Sequence, residues 1–208
     1  MTGDIREALL RATLPHVPFD GWSERALKTG ATEIGFMPEM AGALFPGGGT
    51  ELVDLYSQLS DAEMERRLAA ADLVEMRMRD RVSFAVKTRL EVAEDEREAF
   101  RRAISLLILP ANGGLAARLL YRTVDAIWSS IGDESSDWNF YSKRGLLAGV
   151  YASAVMYWHQ DESLGCVDTM AFIDRRIADV MRLPAAMSKL RSPLGFVVRQ
   201  RRPRTARL

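Results

Sequence analysis

The chain has 208 residues, 48% of them hydrophobic, a single cysteine, and 28 basic against 28 acidic side chains. That length and apolar content suit one ordinary globular domain, or one with a small appendage, that buries a core without cross-links. The lone Cys166 excludes an intramolecular disulfide and points to a reducing compartment.

The zero net charge hides an asymmetry. Residues 189–208 carry seven basic side chains and no acidic one, which leaves 21 basic against 28 acidic in residues 1–188. An acidic body with a basic tail anticipates an anionic partner at the C-terminal end. The opening MTGDIREALLRATLP has no apolar run after a basic start and no Arg-rich, acid-poor character. Neither a secretory signal nor a transit peptide is expected there, so the chain reads as bacterial or as one whose presequence has been removed.

In chain order, a first helix around Ile5–Leu14 is closed by Pro15 and Pro18, and Ser23 is placed to cap a second that carries Leu27 and Ile34. Pro38 suits the first turn of a short third helix, which FPGGG at 45–49 stops. From Thr50 to Val92 runs one long segment in which Leu52, Leu55, Tyr56 and Leu59, then Leu68, Leu73, Met76 and Val82, recur at helical spacing. Further helices are expected over Glu94–Leu109, Leu115–Ile131, Ser136–His159 and Val167–Leu183, with a weaker one from Ser192 and Pro193. Period-2 β-branched runs are missing and good helix formers dominate, so the fold class is all-α with nine to ten helices. The uncharged runs 103–117 and 145–160 fall below the roughly 18 to 20 residues of a spanning helix and read as buried helices.

Residues 21–56 have the order of a helix-turn-helix module followed by a long connecting helix, and the spacing resembles the TetR repressor family. Their charge opposes DNA binding. Between Asp20 and Ser60 only Arg25 and Lys28 are basic, against six acidic residues, where phosphate neutralisation should supply the affinity. The would-be recognition helix PEMAGALF offers no Arg, Lys, Asn or Gln to a base edge. These helices read as scaffold. Nor is a catalytic or metal set apparent. His16 and His159 have no carboxylate at metal-ligand spacing, Cys166 has no local base, and the 47–49 glycines lack the Lys-Ser/Thr of a phosphate loop. The EDERE run at 94–98 reads as a solvated helix start.

The segment DWNFYSKR is the most informative. On a helix, Asp137, Phe140, Tyr141 and Arg144 share one face at i, i+3, i+4 and i+7. Aromatics flanked by opposite charges have the composition of an interface hot spot, and equally of a helix start that closes a core.

The runs LLILPANGGLAARLLYRTVDAIW and GDESSDWNFYSKRGLLAGVY, with VPFDGWSERALKTGATEIGF and ALFPGGGTELV upstream, strongly resemble the ubiquinone-biosynthesis accessory proteins of the Coq-nine family over roughly residues 10–183. The resemblance implies a TetR-like fold used for lipid binding, a homodimer, no catalysis and no cofactor beyond a bound isoprenoid or quinone lipid. It also implies a docking patch for the demethoxyubiquinone hydroxylase. By position that patch falls on Asp125, Ile127, Asp137, Phe140, Tyr141 and Arg144, with Phe140 where the family usually has tryptophan. The implied lipid pocket is assigned to Leu106, Leu109, Leu120, Val124, Ala148 and Ala152, with volume left by small residues such as Ala117, Gly145 and Gly149.

In the tail, Leu194, Val197 and Val198 with Arg199, Arg201 and Arg202 make a short basic amphipathic stretch suited to an anionic membrane surface. The expected organisation is therefore a degenerate helix-turn-helix region at 1–50, a lipid-binding and dimerising bundle at 51–184, and a membrane-associating tail at 185–208. The expected location is the cytoplasmic face of a bacterial inner membrane, or the matrix face in a mitochondrion. The rival reading is a TetR-type regulator that senses a hydrophobic ligand.

Overall fold

The computed structural model describes residues 2–132 and 138–190, with side chains over 3–132 and 141–180. Of the expected site residues, Asp137, Leu194, Val197, Val198, Arg199, Arg201 and Arg202 lie outside the described residues, as does the side chain of Phe140.

Among the described residues there are ten α-helices and no strand: α1 (Thr2–Thr13), α2 (Val17–Asp20), α3 (Glu24–Glu33), α4 (Pro38–Leu44), α5 (Gly49–Ala70), α6 (Met78–Glu91), α7 (Arg97–Leu107), α8 (Gly113–Ser130), α9 (Trp138–Gln160) and α10 (Val167–Leu190). Local chemistry sets several starts. The Ser23 hydroxyl accepts from the Ala26 N–H at 3.2 Å as the N-cap of α3, and Pro38 opens α4.

The N-terminal helices depend on two close backbone approaches. A Cβ on Gly30 would lie 2.6 Å from the carbonyl carbon of Ala12, so only glycine lets α3 rest on α1. A Cβ on Gly49 would lie 2.0 Å from the Trp22 carbonyl oxygen, which fixes the entry of α5. Arg6 ties α1 to α5 through Glu51 at 2.7 Å and lies over the Phe45 ring.

The sequence pattern from Thr50 to Val92 reads as one long segment, but the chain breaks it at 71–77 without a proline or glycine. Arg81 explains how the break is held. Its guanidinium donates to the carbonyls of Met76, Val74 and Ile131 at 3.0, 3.0 and 3.3 Å, replacing helical partners with tertiary ones. The helix expected from Glu94 starts instead at Arg97, after Glu94, Asp95 and Glu96, and keeps Glu98 in its first turn. The Arg97 side chain stacks on Trp158, 4.7 Å from the ring centroid, and donates to the Trp158 and Asp161 carbonyls.

In the larger part of the molecule α5 packs on α6 and α8, α8 on α9, and α10 on both α9 and α6. Its core holds Trp158, Leu52, Met64, Leu68, Leu90, Ile127 and Ile173, all fully buried. Between α7 and α8 the chain turns by 94° at Pro110–Asn112, and the Asn112 amide donates to the Leu106 carbonyl at 2.8 Å across that elbow. Among the described residues no single helix is long and apolar enough to cross a membrane.

Candidate functional site: an apolar cavity with a polar floor

One face each of α5, α7, α8 and α9 encloses a cavity of about 280 Å³. The lining follows helical spacing: Val53, Tyr56 and Ser57 on α5; Phe100, Ala103, Ile104 and Leu107 on α7; Ala116, Leu119, Leu120 and Thr123 on α8; Tyr151, Ala152, Val155 and Met156 on α9. Alanines at 103, 116 and 152 leave the volume that larger side chains would fill. Ile108 and Met156, 68% and 47% exposed, form the rim next to the α7–α8 elbow.

The inner end is polar. Arg89 from α6 is only 2% exposed and donates through Nε to Asp61 at 2.8 Å. Asp61 is equally buried. It also accepts from the Thr123 hydroxyl at 2.9 Å and pairs with Arg122 at 3.4 Å. Arg122 in turn reaches Asp54 at 2.7 Å. Two buried groups at this end make no hydrogen bond of normal geometry, the Nη1 of Arg89 and the hydroxyl of Tyr56, the latter with the Ser60 side chain close by. Burial pushes the phenols of Tyr56 and Tyr151 well above their usual range, so both stay protonated.

Beyond the inner end, toward the α8–α9 connection, lies the expected docking face. Tyr141 is 68% exposed on the first turns of α9. Arg144 is buried and donates to Asp125 of α8 at 2.7 Å, while Asp125 keeps a half-exposed carboxylate. Lys143 lies over the Trp128 ring.

This geometry revises several expectations. Ile127 is fully buried and its side chain cannot touch a partner, because its face of α8 turns into the core. Arg144 contributes through its ion pair with Asp125, not as a free surface charge. Of the six residues assigned to the pocket, Leu120 and Ala152 line the cavity, whereas Leu106, Leu109, Val124 and Ala148 do not. Val124 is fully buried in the core beside it, and Leu109 is exposed on the elbow. Of the other small residues considered, Ala117, Gly145 and Gly149 face outward. The polar floor formed by Arg89, Asp61, Thr123 and Tyr56 was not anticipated. Its only trace in the sequence is an arginine within the otherwise apolar face of α6 that includes Val82, Val86 and Leu90.

Cys166 is buried at the start of α10, with its Sγ 3.7 Å from a Glu94 carboxylate oxygen. Burial pushes its thiol up, with the Glu94 and Asp161 carboxylates adding to the effect. Among the described residues no group of three His, Cys, Asp or Glu could hold a metal ion.

Fold and cavity together define a class: an all-helical protein of TetR-like architecture with an apolar chamber in its larger bundle. A crystal structure of a TetR transcriptional regulator from Nitrosomonas europaea superposes with a TM-score of 0.69 at 16% identity, covering 86% of this chain and 98% of that one. That likeness concerns the fold alone. Residues 114–184 match the COQ9 family model. The rat protein named ubiquinone biosynthesis protein COQ9, mitochondrial, is 33% identical over 195 residues, and its human counterpart 31%. Each match covers 90% of this chain, and the chain spans about three-fifths of those relatives, 62% and 61%. A probable COQ9 protein of Dictyostelium discoideum is 28% identical over 204 residues. The chain is thus similar to COQ9 proteins along most of its length, with residues 114–184 matching the family model.

Proposed function

We propose that this protein is a non-catalytic accessory factor of ubiquinone biosynthesis that binds a quinone intermediate and presents it to the demethoxyubiquinone hydroxylase. The observation that carries this reading is the apolar chamber between α5, α7, α8 and α9, next to the exposed Tyr141 and the Asp125–Arg144 pair. A prenylated quinone gains about 25 cal/mol for each Å² of apolar surface it buries there. The names of the relatives supply the pathway, and a homodimer working at an anionic membrane surface through the 194–202 stretch completes the proposal.

Regulation of transcription is the weaker reading. In α4 the only charged residue is Glu39, and α3 adds Glu24 and Glu33 to its two cations, so phosphate contacts are poorly served. The test is native mass spectrometry of the full chain, purified from a host that makes ubiquinone, followed by lipid extraction. A co-purifying quinone or isoprenoid is the expected result. A protein that is empty yet still binds the hydroxylase overturns the carrier reading in favour of a scaffold.

A further inference from the structure

An amphiphile can enter a chamber by its chain or by its head, and the two ends of this chamber differ. The rim is apolar and exposed at Ile108 and Met156. The inner end is buried and carries the Arg89 Nη1 and the Tyr56 hydroxyl, neither in a hydrogen bond of normal geometry. A hydrocarbon chain pushed to that end would leave both donors unsatisfied beneath it, the costliest state for a buried polar group.

We propose that the chamber takes its ligand head-first, with Arg89 Nη1 and the Tyr56 hydroxyl donating to a neutral oxygen acceptor of the head, such as a quinone carbonyl or an adjacent methoxy oxygen. This rests on the lipid-binding reading above and specifies the ligand's class and orientation.

Three observations fix the chemistry. The guanidinium can only donate, and the Tyr56 phenol, held protonated by burial, has a hydrogen to give, so the head must accept. The charge of Arg89 is already matched by Asp61 at 2.8 Å, and the Thr123 hydroxyl is spent on the same carboxylate. A carboxylate or phosphate head would therefore bring an unmatched buried charge, and a neutral acceptor would not. The volume of about 280 Å³ is just below the roughly 300–1,000 Å³ of ligand pockets, room for a head ring and a short stretch of chain. The remainder of the chain leaves over the rim, where Ile108 and Met156 are exposed.

The orientation also positions the head. Pairs across α8 and α9, such as Asp125 with Arg144 and Trp128 with Lys143, show the two helices running antiparallel. Thr123 at the floor is two residues from Asp125, about 3 Å along the axis, and Tyr151 is seven residues from Arg144, about 10 Å. The head is thus held behind the face that carries Tyr141, and the tail points away from it.

The experiment is a competition measured by native mass spectrometry on the full chain stripped of lipid. The probes share two isoprene units and end in a dimethoxy-methyl-benzoquinone, a hydrocarbon, or a carboxylate. The quinone is expected to outcompete the hydrocarbon by at least about tenfold, since two donors are satisfied. Tyr56→Phe should reduce that preference about fivefold, the effect of one hydrogen bond, while the chain still unfolds cooperatively on heating. Arg89→Lys, which keeps a cation beside Asp61, should reduce it as well. Equal binding of hydrocarbon and quinone, or a win for the carboxylate, overturns the head-first assignment and leaves lipid binding standing. Failure of all three probes to bind overturns both.

Discussion

Asp61→Ala removes the counter-charge from an arginine that has no access to water. In the folded protein Arg89 is 2% and Asp61 4% exposed, and the same carboxylate also holds Thr123 and Arg122. Breaking a buried pair by deleting one partner costs about 3–5 kcal/mol, because the remaining charge is stranded. For a domain of this size each kcal/mol lowers Tm by about 2–4 °C, so a fall of roughly 6–20 °C is expected by differential scanning calorimetry. Replacing both partners, Asp61→Leu with Arg89→Met, removes the stranded charge and should recover most of that loss, because apolar substitutes for a buried pair are often neutral or stabilising. The double-mutant cycle isolates the coupling. If the double variant melts as low as the sum of the two single losses, Arg89 and Asp61 are not energetically paired and the polar floor is wrongly described.

Asp161 makes a pH-dependent prediction. Burial alone would raise its carboxyl, but the backbone N–H and hydroxyl groups of Ser163 and Thr169 all donate to it and hold it well below the usual 3.8. A carboxyl depressed by folding contributes stability above its unfolded pKa, and that contribution is lost as pH falls toward the folded value. Asp161→Asn should therefore cost about 1–3 kcal/mol at neutral pH, and the difference from wild type should shrink below about pH 4 in urea titrations; a difference constant from pH 7 to 3 contradicts the assignment. Gly30→Ala forces a Cβ against the α1 backbone and should destabilise by about 1–3 kcal/mol, read as a lower urea midpoint with unchanged slope. Tyr141→Ala should weaken hydroxylase binding by about 2 kcal/mol, roughly 30-fold, in calorimetric titration, with Tm unchanged because the side chain is 68% exposed. Arg144 is a poorer probe of the same face, since its substitution also breaks a buried ion pair.

The helical class and most helix limits could be read from the residues alone, because they follow from chemistry within a few positions: the Ser23 cap, Pro38 in a first turn, the FPGGG stop, apolar recurrence at helical spacing. The likeness to COQ9 proteins was also legible, from the runs on both sides of the α7–α8 elbow. The remaining features depend on residues far apart in the chain, which meet only once the helices have packed. The break at 71–77 has no breaker residue and is held by Arg81 reaching Ile131, fifty positions away. Ile127 was placed on the docking patch by resemblance, whereas it shares its face of α8 with Val124, Trp128 and Ile131, and all four are buried. The chamber lies where four helix faces converge, so Leu120 and Ala152 line it while the equally apolar Leu106, Leu109, Val124 and Ala148 do not. Its floor brings Asp61, Arg89 and Thr123 together from three helices. Periodicity tells a side chain which way to face on its own helix; which other faces it meets is set by how the helices cross.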